Sequence, residues 1–191
     1  MLHQIQEIDT HLFLTLNGLH THWADTIMYW VTQRNTWIPL YALLIIWLIW
    51  KYNQRAAGMI GALILTIIIA DQTASGLLKP FFERLRPCHV LYLQDKLHLV
   101  VEDCGGRYGF ASSHAANSFG LAMALYLLVG KKHPWITWFF FPWAAAVSYS
   151  RIYVGVHYPF DVAVGACIGA AAAWIAVKSV ERILRLRKNP V

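Results

Sequence analysis

Three short groups of polar residues hold the side chains that could do chemistry, and each group borders an apolar run. Together they supply cations, hydroxyls, two imidazoles and one carboxylate. The residues are, in chain order, Lys79, Arg86, Ser112, Ser113, His114, Arg151, His157 and Asp161. Cationic and hydroxyl groups bind anions, and imidazoles move protons near neutral pH. The set therefore predicts an anion site with acid–base or nucleophilic activity.

The spacing of His157 and Asp161 suits a reactive imidazole with a supporting carboxylate. Pro159 favours the first turn of a helix, so Asp161 would lie one turn into that helix. A carboxylate four residues after a histidine can reach one ring nitrogen, which leaves the other nitrogen basic. Two other interpretations stay open. Asp161 could cap the helix beside an uninvolved His157, or the pair could bind a metal, although the sequence has no HExxH or cysteine-rich ligand set.

Ser112, Ser113 and His114 directly precede an apolar helical run. Serine is a favoured N-cap, so a helix is expected to begin here. The free N–H groups and positive dipole end of such a helix form an anion site. His114 would lie on its first turn, although a histidine in this position can also be purely structural.

The elements that position these groups must lie in a membrane. Of the 191 residues, 58% are hydrophobic and only 14% are charged, against about 25% charged in an average soluble protein. This composition excludes a disordered chain and argues against a soluble nucleic-acid-binding protein, despite the formal net charge of +6. Three cysteines are too few for a disulfide-rich secreted module. The sequence indicates a polytopic membrane protein with one domain over residues 1–191.

Apolar runs with no charge, or with one acidic residue, predict helices that cross the bilayer. They are Trp37–Trp50, Ala57–Leu78, Ala115–Gly130, Pro134–Tyr149 and Val162–Val177. The predicted fold is therefore an all-α bundle with five to six transmembrane helices. Residues 1–34 are apolar but interrupted by charges, so they form interfacial helices or a sixth crossing. Acidic residues near the start argue against a secretory signal peptide.

The basic residues predict which side of the membrane each loop faces. We place one set of span ends in the cytoplasm because it holds Lys51, Arg55, Lys131, Lys132, Lys178, Arg182, Arg185, Arg187 and Lys188. The loops of residues 80–113 and 150–159, which carry the polar groups, then face outside. A single cation there, such as Lys79, could also bind lipid head groups without specificity.

The three polar groups resemble the tripartite signature of the type 2 phosphatidic acid phosphatase superfamily. The first and third parts match in full, through Lys79, Arg86, Pro87, Ser150, Arg151, His157 and Asp161. In the second part Ala111 and Ser113 stand where the family has Pro and Gly. Ser112 and His114 of that part are kept. The layout is similar to small bacterial members such as undecaprenyl-diphosphate phosphatases.

The resemblance implies a role for each residue. His157 would attack phosphorus and form a phosphohistidine, and Asp161 would orient and stabilise it. His114 would protonate the leaving oxygen and then activate water. The phosphoryl oxygens would be held by Lys79, Arg86, Ser112, Ser113 and Arg151. Because these cations supply the positive charge, neither a metal nor another cofactor is expected.

The expected function is hydrolysis of a lipid phosphate or diphosphate at the outer membrane surface. The layout favours undecaprenyl diphosphate, with phosphatidylglycerophosphate, phosphatidic acid and lipid A phosphate as alternatives. Other classes considered are a lipid phosphotransferase and a non-enzymatic lipid-binding protein. The expected partners are the bilayer and its lipid phosphate, with no nucleic acid and the oligomeric state left open. The expected location is a bacterial plasma membrane, with the site facing the periplasm or cell exterior.

Residues around the signature carry further expectations. Cys88 and Cys104 lie in the loop of residues 80–113 (the outer loop). If this loop faces an oxidising compartment, a disulfide can form between them. Asp71 would tie Lys79 or a neighbouring loop in place, with a catalytic role as the alternative. Arg84 and Arg107 lie outside the signature and would contact lipid head groups.

Overall fold

The structure is a computed structural model that describes residues 2–188, with side chains for residues 4–184. Within this part of the chain the fold is helical and has no β-strand beyond one isolated bridge. The helices are α1 (Leu2–Asn17), α2 (His22–Thr32), α3 (Ile38–Tyr52), α4 (Ala56–Asp71), α5 (Lys79–Phe82), α6 (Ser113–Leu125), α7 (Pro134–Tyr153) and α8 (Pro159–Lys188). Two π-helical segments, Gln72–Leu78 and Tyr126–Gly130, continue α4 and α6.

Each apolar run predicted from the sequence lies in a helix or its π-helical continuation, so the all-α prediction is confirmed. Two helical stretches, Arg34–Phe82 and Pro159–Leu184, are long and apolar enough to cross a membrane. Large side chains on α3, including Leu43, Ile46 and Trp50, are exposed, as expected for a surface that contacts lipid. The number of crossings stays a prediction.

Small residues bring α6 and α8 into close contact at the centre of the bundle. A Cβ atom added to Gly165 would lie 2.4 Å from the Ser112 carbonyl oxygen. One added to Gly169 would lie 2.1 Å from the Ala116 carbonyl oxygen. Backbones can approach this closely only where side chains are minimal, as in other membrane helix pairs. The α6–α8 contact therefore fixes the starts of both helices next to each other.

The connecting segments gather at two ends of the bundle. At one end, Trp47 and Tyr52 of α3 contact the ring of His133, which precedes α7. At the other end, Gly155 packs against the carbonyl oxygen of His98, and its φ of +85° suits glycine. The outer loop and the α7–α8 connection therefore meet at one end, away from the basic connection that contains Lys131 and Lys132.

The N-terminal helices pack onto the end that holds the outer loop. Asn17, at the end of α1, donates from Nδ2 to the carbonyl oxygens of His98 and Tyr153, at 2.9 and 2.7 Å. Phe13 is fully buried and packs edge-on against Tyr158. Helix α1 thus ties the outer loop to the α7–α8 connection.

The outer loop is closed by a disulfide between Cys88 and Cys104. It joins two segments that flank the exposed Leu91 and Tyr92. The loop around it is irregular, with short 3-10 turns after Pro87 and Leu91. A covalent link therefore supplies order where regular helix is absent.

We predict that Gly169→Ala lowers both thermal stability and catalytic activity, because the added methyl would overlap the Ala116 carbonyl and separate α6 from α8. The loss should reach several degrees in Tm in detergent micelles. Gly61→Ala is the matched control, since a Cβ there meets nothing within 4 Å. Equal Tm values for the two variants would contradict the packing argument.

We predict that the disulfide forms in protein purified in air. After denaturation without reductant, a thiol reagent should label one cysteine, Cys167, and after reduction it should label all three. Cys88→Ser should release Cys104 for labelling without reductant. Three reactive thiols in the unreduced protein would show that the bond does not form.

Candidate active site

His157 and Asp161 meet at the connection between α7 and α8, and both side chains are buried. His157 Nδ1 lies 3.4 Å from Asp161 Oδ2, which also accepts the backbone N–H of Tyr158 at 3.1 Å. Gly109 of the outer loop closes over the pair. A Cβ there would lie 3.2 Å from Asp161 Oδ2 and 3.6 Å from His157 Nδ1. The carboxylate thus engages one ring nitrogen and leaves Nε2 as the nitrogen that can react.

The surroundings of His157 keep its ring neutral. Burial lowers the pKa of His157 well below its usual value, because the charged ring would lose its hydration. The positive charges of Arg151, Arg86 and Lys79 act in the same direction, while a backbone hydrogen bond with Gly109 opposes them. A neutral imidazole has a free lone pair, so His157 is suited to nucleophilic attack near neutral pH.

The start of α6 brings the second polar group to the same place. Ser112 is the N-cap, as predicted, and its backbone N–H donates to the carbonyl oxygen of Asp161 at 2.9 Å. Lys79 donates from Nζ to Ser113 Oγ at 3.3 Å, which joins the first group to the second. The ring of His114 makes no hydrogen bond to a residue in the described part of the chain and lines the cavity, so it is free to contact a ligand.

The two arginines of the signature are held by backbone and hydroxyl oxygens. Arg86 donates from Nη1 to the Cys104 carbonyl at 2.8 Å and from Nε to the Tyr108 carbonyl at 3.3 Å. Burial lowers the pKa of Arg86 from its very high usual value, and the Asp161 charge opposes this shift. Arg151 donates from Nη1 to Thr32 Oγ1 at the end of α2. Neutral oxygens thus hold both guanidinium groups in place, and no carboxylate of the described residues forms an ion pair with either one.

The residues predicted from the sequence therefore converge on one place. Lys79, Arg86 and Arg151 lie close enough to His157 for their charges to act on it. His114 is likewise close enough to His157, Lys79 and Arg151 for their charges to act on it.

Arg84 was expected to contact lipid head groups, and that prediction is wrong. Its Nη1 donates to Asp161 Oδ1 at 2.8 Å and its Nη2 to Asp9 Oδ2 at 2.7 Å. The guanidinium also lies 4.0 Å over the ring of Tyr158. Asp9, which is fully buried on α1, accepts the backbone N–H of Phe160 at 3.0 Å as well. Sequence reasoning missed Asp9, since its partners lie far along the chain.

Arg34, between α2 and α3, is a further cation that the sequence did not indicate. It lies close enough to Lys79, His114 and Arg151 for its charge to act on each. Asp71 was expected to hold Lys79 or a loop; its charge does act on Lys79, and its Oδ1 accepts a hydrogen bond from Asn117 Nδ2 at 3.2 Å. The exposed Arg107 lies 5.9 Å over the ring of Tyr108 and takes no part in the site.

A cavity of about 630 Å³ extends from the site into the bundle between α3, α4, α6 and α7. His114, Ser113 and Arg34 line the end at the site, and apolar residues such as Leu63 and Leu121 line the rest. Along α4 the lining extends from Asp71 to Ile60, which is roughly 16 Å at 1.5 Å per residue. The chemistry therefore borders an apolar space large enough for a hydrocarbon chain.

The sequence matches the model of the PAP2 superfamily over residues 55–185. A lipid A 4′-phosphatase of Bacteroides thetaiotaomicron is 38% identical over 177 residues, which are 92% of this chain and 78% of that protein. A lipid A 4′-phosphatase of Porphyromonas gingivalis is 36% identical, over 86% of this chain and 70% of that protein. An undecaprenyl-diphosphatase of Sulfolobus acidocaldarius is 30% identical, over 91% of this chain and 74% of that protein.

Solved structures show the same architecture. The structure of Aquifex aeolicus LpxE matches with a TM-score of 0.65 and 28% identity, over 88% of this chain and 94% of that one. A PAP2-type phosphatidylglycerolphosphate phosphatase from Bacillus subtilis matches with a TM-score of 0.72 over 94% of this chain and 88% of that one. At 19% identity, that second match speaks for the fold alone. The site geometry and these relatives lead to one conclusion: the chain belongs to the PAP2 superfamily and is a lipid phosphatase of the PAP2 type.

Proposed function

We propose that the protein removes a phosphate from the sugar of a lipid A-type glycolipid, through a phosphohistidine on His157. The observation that carries the mechanism is the buried His157, whose Nδ1 lies beside Asp161 and whose pKa is lowered by burial and by the charges of Arg151, Arg86 and Lys79. That arrangement presents a nucleophile and a positive cradle to the same phosphorus atom.

The reaction takes two steps. Burial and the charges of Arg151, Arg34 and Lys79 lower the pKa of His114 to about 2 in the free enzyme, so His114 takes up its proton only when the bound phosphate offsets those charges. His157 Nε2 then attacks phosphorus, the bond between phosphorus and the sugar oxygen breaks, and His114 gives that proton to the oxygen. A water molecule then attacks the phosphohistidine, His114 takes its proton, and phosphate leaves as the nitrogen–phosphorus bond breaks. Lys79, Arg86 and Arg151, with the N–H groups at the start of α6, hold the phosphoryl oxygens as their charge spreads.

Arg84 and Asp9 hold Asp161 in place for this reaction. Arg84 bridges the two buried carboxylates, and Asp9 is itself anchored to the backbone of Phe160. Asp161 therefore has a fixed orientation before substrate arrives. A preset carboxylate keeps the His157 ring aimed and supports the positive charge that develops on it.

The choice of substrate rests on the relatives. Two lipid A 4′-phosphatases match at 38% and 36% identity, whereas the undecaprenyl-diphosphatase match is weaker, at 30%. Undecaprenyl diphosphate, favoured from the sequence layout, is therefore the second candidate. We also propose that the site faces the periplasm, because the basic connections lie at the opposite end of the bundle from the outer loop.

We predict that purified protein releases phosphate from lipid A faster than from undecaprenyl diphosphate, phosphatidylglycerophosphate or phosphatidic acid. Release should persist in EDTA, because Lys79, Arg86 and Arg151 supply the positive charge. His157→Ala should lower kcat by at least about 10⁴-fold, since it removes the nucleophile. The measurement is phosphate release in mixed micelles of fixed lipid mole fraction.

Each arm of this experiment can contradict a different part of the proposal. A preference for undecaprenyl diphosphate would replace the proposed substrate and keep the mechanism. Loss of activity in EDTA would exclude the metal-independent mechanism. Normal turnover by His157→Ala would exclude the phosphohistidine.

We predict that Arg84→Ala lowers kcat roughly 100-fold, because Asp161 and His157 lose their alignment. Asp9→Asn should lower kcat in the same direction but less, since Arg84 would keep its bond to Asp161. Arg107→Ala is the matched control, because this arginine lies in the same loop but outside the site. Unchanged kcat in Arg84→Ala would show that the bridge to Asp161 is not needed.

A further inference from the structure

An acid–amide pair lies in the wall of the cavity, outside the groups proposed to hold the phosphate, and the charge of its carboxylate acts on Lys79. Asp71 ends α4, and Asn117 lies on α6 three residues after His114. Both line the cavity at the end near the site. Apart from these two and Ser118, the inner walls of the cavity are largely apolar. The pair therefore places a carboxylate where a purely hydrocarbon ligand would need none.

The hydrogen bond between the two residues fixes the direction of both. Asn117 Nδ2 donates to Asp71 Oδ1 at 3.2 Å. An ionised carboxylate can only accept, so the amide nitrogen must face it. The amide oxygen of Asn117 is buried and has no partner among the described residues. A buried oxygen without a hydrogen bond costs free energy. Asn117 thus holds Asp71 while its own amide oxygen has no hydrogen-bond partner among the described residues.

Asp71 keeps one oxygen for a ligand. Its Oδ2 accepts no hydrogen bond from the described residues and is not among their buried unpartnered atoms. The π-helical segment Gln72–Leu78 begins directly after Asp71, and such segments often occur at functional sites. This oxygen lies in the cavity wall and can therefore accept a hydrogen bond from a bound molecule.

The location of Asp71 shows which part of a substrate would supply that donor. His114 lines the same end of the cavity and, in the proposed reaction, protonates the leaving oxygen. The group that departs thus lies beside His114, and Asp71 lies in the same wall. Beyond Asp71 and Asn117 the cavity wall is apolar, so this part of the cavity suits a hydrocarbon chain attached to the leaving group.

We infer that Asp71, positioned by Asn117, accepts a hydrogen bond from the leaving group and selects lipid phosphates whose leaving group carries donors. An acylated amino sugar meets this requirement, because it offers hydroxyl and amide N–H donors next to an acyl chain. A polyprenyl phosphate, which is the leaving group of undecaprenyl diphosphate, and a simple alkanol offer no hydroxyl or amide donor besides the reacting oxygen. The inference rests on the proposed function, and it names the residues that would favour a glycolipid.

The test compares two substrates in the same micelles, lipid A and dodecyl phosphate, whose leaving group has no donor besides the reacting oxygen. Asp71→Leu should lower kcat/KM for lipid A at least about 10-fold more than for dodecyl phosphate. Asn117→Leu should show the same selective loss, because Asp71 loses its orientation. Ser118→Ala is the control, since Ser118 lines the same cavity but donates to Ala115 within its own helix.

Retained turnover of dodecyl phosphate shows that a variant is folded. If Asp71→Leu does not fold, Asp71→Asn replaces it, with a smaller selective loss expected because the amide oxygen can still accept. Equal losses for both substrates in Asp71→Leu and Asn117→Leu would overturn the inference and assign the pair a structural role.

A second measurement separates this inference from the proposed function. A phosphate-free acylated glucosamine lipid should inhibit dodecyl phosphate hydrolysis competitively in the wild type and at least about 10-fold more weakly in Asp71→Leu. Such inhibition without turnover of lipid A would overturn the proposed substrate and support the donor site. No inhibition of the wild type would overturn the donor site, even if lipid A is hydrolysed.

Discussion

Helices α6 and α8 pack so closely that their contact decides where the groups of the site lie. Gly165 and Gly169 have no side chain, so the α8 backbone packs directly against carbonyl oxygens of α6. This close packing brings the first turns of the two helices together. One start carries the N–H groups and His114, and the other carries Asp161. The site is thus a product of backbone packing in the bundle, and the loops complete it from outside.

A second constraint is electrostatic. Several cations share a partly buried volume, and Arg84 already binds two of the nearby carboxylates, those of Asp161 and Asp9. Like charges repel each other strongly where water is scarce, so holding these cations close together costs free energy in the free enzyme. A phosphate group with two negative charges relieves that repulsion when it binds. In the proposed mechanism, the cations that lower the pKa of His157 therefore also attract the substrate phosphate.

Local sequence patterns predicted much of this site, because several of its contacts lie within one or two helical turns. The four-residue spacing of His157 and Asp161, and the N-cap at Ser112, follow from helix geometry alone. The bridge from Asp9 to Arg84 could not be predicted in this way, since 75 residues separate the partners. The pairing of Asp71 with Asn117 depends on how α4 packs on α6, which residue spacing does not reveal. Contacts between distant segments are thus where sequence reasoning failed.

The Asp9–Arg84–Asp161 bridge also has a consequence for biosynthesis. Its three members come from the first helix, the outer loop and the last helix, so the ribosome makes them at widely separated times. Until α8 emerges, Arg84 lacks one carboxylate, and α6 lacks the glycine face against which it packs. A partly synthesised chain therefore has no aligned histidine. Under the proposed mechanism, the growing polypeptide stays inactive until α8 has been inserted.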